Sequence, residues 1–302
     1  MPLSPESVKN YIPHGLFNRM YEKIRSLSRG LLPKSVRHHR ILGGPLRGFH
    51  IFASCYDYPA AILGRTERPL LEWFAQNVKA GETWLDVGAH YGYTAIALCR
   101  SVGRSGRVFA FEPMMSTAGY VTQTRQLNNF PQLTVLPLGL AAPETLEMKQ
   151  LPVTRGMVDS TLCKAEGRRQ KAEGRRQKAE SGRQKAESRR QKGEEQAVWQ
   201  ETIMVARLDW LWPRICGGRE QIDGVKIDVQ GMEVEVLNGM IETLRRQHPK
   251  LVVEVHHGVD RNQLLGLIES AGYSRQATPI EPFEGEVEPQ YVNDRSYYFK
   301  AV

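Results

Sequence analysis

The stretch Trp84–Ala95, WLDVGAHYGYTA, decides the fold of this chain. An apolar run ends in Asp86, the chain turns through Gly88 and Gly92, and helix-forming residues follow. Further on, a second apolar run, VFAFEP, ends in Glu112 and Pro113. A strand, a glycine turn and a helix, followed by a strand that ends in an acid, is the pattern by which an open α/β sheet holds a nucleoside. The glycines let the backbone approach the ligand, and the acid accepts hydrogen bonds from ribose hydroxyls.

Outward from this segment, strand-like and helix-like runs alternate. The spacing predicts a helix over Glu67–Val78, a strand over 83–87, a helix over 92–101, a strand over 107–111, a helix over 115–128 and a strand over 133–138. Later come strands at Thr202–Val205 and Gly224–Val229, a helix over Glu233–Arg246, a strand at Leu251–Val255 and a helix over 260–271. A short strand opens at Gly272 and Tyr273, and Tyr297–Ala301 closes the chain. Such alternation implies a doubly wound, mostly parallel sheet covered on both faces. Residues 41–63, with Gly43, Gly44, Pro45 and Gly48 between apolar pieces, read as a small hairpin. Leu16–Leu27 reads as an amphipathic helix that packs on its own domain, with weak contact to a membrane surface as the alternative. The expected organisation is an N-terminal helical and hairpin extension over 1–80 and an α/β domain over 81–302.

That domain is interrupted. Residues 164–196 run KAEGRRQ, KAEGRRQ, KAESGRQ, KAESRRQ and KGEEQ, a near-perfect seven-residue repeat. A coiled coil needs apolar residues at two positions in seven, and here each repeat offers only alanine. Gly167, Gly174 and Gly182 weaken a helix further. The expectation is a solvated, disordered low-complexity insert. Its charge explains the basicity of the chain: residues 164–195 hold twelve Lys/Arg and six Glu, leaving +2 of the formal +8 for everything else. A basic face for specific nucleic-acid binding is therefore not expected, although the repeat could serve as an electrostatic tether. The 302 residues suffice for a sizeable core. No run is long enough to span a membrane, no apolar signal core stands at the start, and four scattered cysteines lack CxxC spacing, so a cytoplasmic protein is expected.

Two nucleosides suit this architecture. A dinucleotide needs closely spaced glycines for its pyrophosphate, whereas Gly88-Ala-His-Tyr-Gly92 lacks the middle and third glycines. Asp86 would repel a pyrophosphate and attract the ammonium group of a methionine moiety. Charge therefore favours S-adenosylmethionine over a nicotinamide dinucleotide. The segments DVGAHYGYTA, FEP, ARLDWL, LGRTE, LVVEVH and above all VKIDVQGMEVEVLNGM resemble the FkbM-type methyltransferases, from about residue 41 to the C-terminus, interrupted by the repeat. The resemblance implies a seven-stranded, Rossmann-like methyltransferase sheet with one antiparallel strand near its C-terminal edge. It also implies S-adenosylmethionine-dependent methyl transfer, usually to a hydroxyl of a small metabolite or glycan. His90 departs from the family, whose members more often carry Asn there. N- or C-methylation on the same fold, or a catalytically weak binding protein that uses the basic repeat, are the alternatives.

The candidate cofactor residues are Asp86 for the ammonium group, directly or through water, Gly88 and Gly92 for the turn, His90 for the methionine carboxylate or a turn cap, and Glu112 for the ribose. The candidate catalytic residues are Asp228, Glu254 and His256, at the ends of VKIDV and LVVEV. His256, with an ordinary pKa near neutrality, is a candidate general base. Lys226 is not expected to serve readily as the partner of Asp228, and Glu233 is read as a helix cap or a substrate contact. The same Asp228, Glu254 and His256 offer ligands to a divalent metal, an option the sequence leaves open.

Overall fold

The computed structural model describes residues 33–153, 199–286 and 288–302. The expected Leu16–Leu27 helix and the 164–196 repeat lie outside the described residues. A seven-stranded sheet forms the centre. Its strands are β3 (Thr83–Val87), β4 (Arg107–Phe111), β5 (Leu133–Leu136), β9 (Gly224–Ile227), β10 (Lys250–Val255), β11 (Thr278–Pro279) and β12 (Arg295–Phe299). Their order across the sheet is β11-β12-β10-β9-β3-β4-β5. β5, β4, β3, β9 and β10 run parallel, and β12 is antiparallel to both of its neighbours. This is the doubly wound sheet with one reversed strand near its C-terminal edge that the sequence led us to expect. The strand order turns round between β3 and β9, and in such sheets the crevice beyond that point receives the ligand.

Alternation along the strands assigns the faces. Leu85, Val87, Phe109, Phe111, Leu251, Val253 and Val255 share one core. Trp84, Val108, Ala110 and Val252 belong to the other. The first face is covered by α5 (Leu208–Ile215), α6 (Glu233–Asn238), α7 (Ile241–Gln247) and α8 (Arg261–Ser270). The second is covered by α2 (Arg68–Asn77), α3 (Tyr93–Val102) and α4 (Met115–Leu127), with α1 (Pro59–Ile62) beside them. An antiparallel pair, β1 (Val36–Arg40) and β2 (His50–Ser54), joins this second core through Ile51 and Ala53. The N-terminal hairpin and α2 thus share one core with the sheet.

Several boundaries differ from those expected. The helix read over Glu233–Arg246 is two helices parted at Gly239, where a Cβ would stand 1.9 Å from the Ala141 carbonyl oxygen. Close backbone approach, which helical periodicity does not report, breaks it there. Gly272–Tyr273 supplies only an isolated bridge to Ala301. A second sheet, β6 (Gly139–Leu140), β8 (Trp199–Ala206) and β7 (Glu147–Val153), is ordered β6-β8-β7, and of these strands only β8 had a clear signature in the sequence. β7 and β8 are antiparallel in register from Glu147↔Val205 to Val153↔Trp199, and the repeat falls between these two strands in the sequence.

At the switch point the sheet contains a lysine. Lys226 on β9 stands opposite Asp86 on β3 and is 2% exposed. Its Nζ lies 3.3 Å from Asp86 Oδ1 and 3.2 Å from Asp228 Oδ2. Thr94 on α3 donates to Asp86 Oδ2 at 2.8 Å. Contrary to expectation, Lys226 is the partner of Asp228: the i, i+2 relation puts both side chains on one face, and the long lysine reaches back between the two acids. Burial alone would push its ammonium toward neutrality, but Asp228, Asp86, Glu67 and Glu254 overcome this and hold its pKa above the ordinary lysine value. Removing the lysine leaves Asp86 without a counter-charge in a dry core and leaves Asp228 with His256 alone. Lys226→Met is expected to cost about 3–5 kcal/mol at neutral pH, read from urea unfolding. Protonation relieves a carboxylate that has lost its counter-charge, so the deficit should shrink as pH falls into the carboxylate range, and a deficit independent of pH would contradict the pairing.

Candidate active site

β3 ends at Val87, and the chain turns through Gly88, Ala89 and His90. Gly88 has φ +83°, and a Cβ there would fall 1.7 Å from the Asp228 carbonyl oxygen, so only glycine lets the turn lie against the end of β9. Gly92, φ +86°, caps α3 and packs on Val121. His90 takes a left-handed conformation, φ 51°, and its backbone N–H donates to Glu112 Oε2 at 2.9 Å. The other Glu112 oxygen accepts from the Met114 N–H at 3.1 Å. The carboxyl following β4 is thus locked to the glycine turn, with spare lone pairs on both oxygens. Burial pushes its pKa up to about 7 against the pull of those two N–H donors. The His90 imidazole, packed against Tyr58 and Tyr91, is held neutral by burial, its pKa lowered to about 4. Its Nε2 is buried and accepts or donates no hydrogen bond among the described residues.

These residues border a pocket beyond the C-terminal strand ends. Val87, Gly88, His90 and Glu112 form one side of it, and Asp228, Val229 and Gln230 form another. Lys149 and Leu151 of β7 with Ile203 and Val205 of β8 make a wall; the strand at Thr202–Val205 was read from the sequence, but its pairing with β7 was not. Asp86 does not line the pocket. It is 0% exposed, and Thr94 and Lys226 occupy its oxygens. It anchors the lysine and α3 beneath the pocket floor.

Asp228, Glu254 and His256 converge as expected. His256 Nε2 lies 3.4 Å from Asp228 Oδ1 and 3.3 Å from Glu254 Oε1. Gln230 places its amide nitrogen 3.0 Å from the same Nε2. Glu233, fully buried, sets Oε1 2.6 Å from His256 Nδ1 and accepts from the Gly231 N–H at 3.1 Å. It holds the imidazole instead of contacting substrate. Burial alone would lower the His256 pKa, but the carboxylates of Glu233, Glu254 and Asp228 raise it to about 10. His256 is therefore an imidazolium near neutral pH, and its reading as a general base is corrected. Burial and the neighbouring Asp228 raise the pKa of Glu254. Burial also pushes that of Asp228 upward, but Lys226 and His256 hold it below the ordinary value. Sequence reasoning also missed the backing of this cluster, where Tyr58 donates to Glu67 Oε1 at 2.7 Å. Glu67 takes φ 50° at the start of α2, and burial pushes its pKa up to about 7.

Among solved structures, an FkbM methyltransferase from Methylobacillus flagellatus KT is 14% identical at a TM-score of 0.41, over 76% of this chain and 50% of that one. A SAM-dependent O-methyltransferase from Thermotoga maritima is 12% identical at 0.39, over 77% and 64%. Fibrillarin from Aeropyrum pernix, solved with natively bound S-adenosyl-L-methionine, is 12% identical at 0.41, over 88% of each. The chain spans half the length of the Methylobacillus protein. Identities this low say nothing about an acceptor. No curated protein matches the sequence. The methyltransferase FkbM domain model matches residues 86–275, well over half of the chain, and takes in the glycine turn, Glu112 and the Asp228–Glu254–His256 cluster. With the strand order and the pocket at its reversal, this establishes that the chain belongs to the FkbM methyltransferase domain family of S-adenosylmethionine-dependent proteins.

Proposed function

We propose that this protein transfers a methyl group from S-adenosylmethionine to a hydroxyl oxygen of a small metabolite or glycan. The observation that carries the reading is the Glu112 carboxyl, fixed by two backbone N–H donors at the rim of the pocket and left with lone pairs for two ribose hydroxyls. The pocket also fits the donor's charge. Glu112 and Asp228 border it, and an electropositive sulfonium is favoured beside them. The unpartnered Nε2 of His90 supports a role for that ring in contacting the cofactor. When bound, the cofactor supplies a methyl group already activated for displacement. The protein's task is alignment and proton removal.

The acceptor is placed by Asp228 and Glu254, whose oxygens accept from its hydroxyl and carry the proton away as the new bond forms. His256, held positive, fixes the two carboxylates and takes no proton itself. The β7–β8 wall encloses the acceptor's apolar part through Leu151, Ile203 and Val205, with Lys149 beside them. Small-molecule partners suit this cleft, and no basic nucleic-acid face is part of the reading. Among the described residues no helix is long and apolar enough to cross a membrane.

Two measurements test this. Incubation with methyl-labelled donor and a metabolite extract should yield labelled products whose mass spectra place the methyl on oxygen. Label found only on nitrogen or carbon would overturn the acceptor assignment. Donor affinity should also depend on pH through Glu112. The cofactor binds the ionised carboxyl, so affinity is complete above the pKa near 7 and weakens by about tenfold per pH unit below it. Glu112→Gln should bind weakly at every pH with that slope removed. Calorimetry showing an unchanged slope in the variant would sink the ribose role.

A further inference from the structure

We propose that Asp228, Glu254 and His256 form a binding site for one divalent first-row transition-metal ion at the ends of β9 and β10, beside the donor pocket. One ligand atom from each residue lies within 4.8 Å of the others. His256 Nε2 stands 3.4 Å from Asp228 Oδ1 and 3.3 Å from Glu254 Oε1. Donors bonded to one ion at about 2.0–2.2 Å stand about 3–3.5 Å apart, so two edges of the site already have the required length. The third, between the two carboxylates, closes by rotation of the partly exposed Glu254 side chain.

Two further observations point to a cation. Glu233 Oε1, 2.6 Å from Nδ1, holds the imidazole so that Nε2 faces the two carboxylates. A buried carboxylate behind a histidine is the arrangement that orients metal-binding imidazoles. The surroundings are also short of positive charge. Glu67, Asp86, Asp228, Glu233 and Glu254 are gathered around Lys226 and one imidazole, and Asp228 Oδ1 is buried without a hydrogen-bond donor among the described residues. A divalent ion that displaces the Nε2 proton answers both the surplus and that oxygen. Gln230, whose amide is 3.0 Å from Nε2, swings aside or turns its carbonyl to the ion. One imidazole with two carboxylates suits Mn²⁺ or Zn²⁺ better than Mg²⁺ or Ca²⁺, which prefer all-oxygen shells. Ion binding does not depend on the methyl-transfer reading. Its use does: an ion there would hold the acceptor hydroxyl oxygen and acidify it, with Asp228 and Glu254 then serving as its ligands and the proton passing to solvent.

The test uses the full chain, stripped with chelator and titrated with Mn²⁺ in the absence of donor. Calorimetry should give one ion per chain, displaced by Zn²⁺ more readily than by Mg²⁺. Electron spin-echo modulation of the bound Mn²⁺ should show coupling to an imidazole ¹⁴N. Glu254→Gln should weaken Mn²⁺ by about tenfold or more, the scale of changes in metal coordination, while S-adenosylmethionine affinity is retained. No stoichiometric ion, no ¹⁴N coupling, or Mn²⁺ affinity unchanged in Glu254→Gln would each overturn the site. The spectroscopic measurement on the unaltered protein does not depend on how a variant folds. Donor binding without ion binding defeats this inference alone, and ion binding without donor binding defeats only the methyltransferase reading.

Discussion

A single buried ammonium group organises the centre of this protein. Lys226 sits in the sheet where the strand order reverses, in a region too dry for an unpaired charge. Asp86 satisfies it from β3, and Asp228 does so from the end of its own strand. Because the two acids come from different sides of the crevice, the ion pairs clamp β3 to β9 where the ligand must be received. The Asp228 N–H donates to the Val87 carbonyl oxygen at 2.9 Å, so the same junction is held by backbone as well as by charge. Gly88 then lies against the Asp228 carbonyl with no room for a side chain. Turn, floor and acid are therefore positioned as one unit.

Around that unit, two histidines of the same intrinsic chemistry are driven in opposite directions. His90 is surrounded by aromatic rings and loses its proton to burial. His256 is surrounded by carboxylates and keeps its own far above neutrality. One crevice therefore carries a neutral ring at the glycine turn and a charged cluster at the ends of β9 and β10. Glu112 is tied to the glycine turn through the His90 N–H, so a shift of the turn is felt by the carboxyl at once.

Most of the sheet was legible in the sequence because its strands are buried on both faces and read as continuous apolar runs. The glycine turn and the acid after β4 were legible for the same local reason. What escaped was set by contacts distant in sequence. The depth of Asp86, and the choice of Lys226 as its partner, follow from the β3–β9 register, which no single segment reports. The charge of His256 follows from Glu233 and Asp228, residues from another strand end and its following helix. The break at Gly239 answers to the Ala141 carbonyl across the fold. Lys226 itself was a signal: a lysine inside an apolar strand must have acids waiting for it.

The paired β7–β8 hairpin has a consequence for the history of the chain. Its two rails are zipped in register from Glu147↔Val205 to Val153↔Trp199, and the repeat enters only beyond the last pair. Closing a longer loop is cheap, about 0.6 kcal/mol for each doubling of its length. Tandem sevens can therefore be gained or lost by replication slippage with little thermodynamic penalty to the rails. A change in repeat number leaves the paired wall of the pocket, with Leu151, Ile203 and Val205, where it stands.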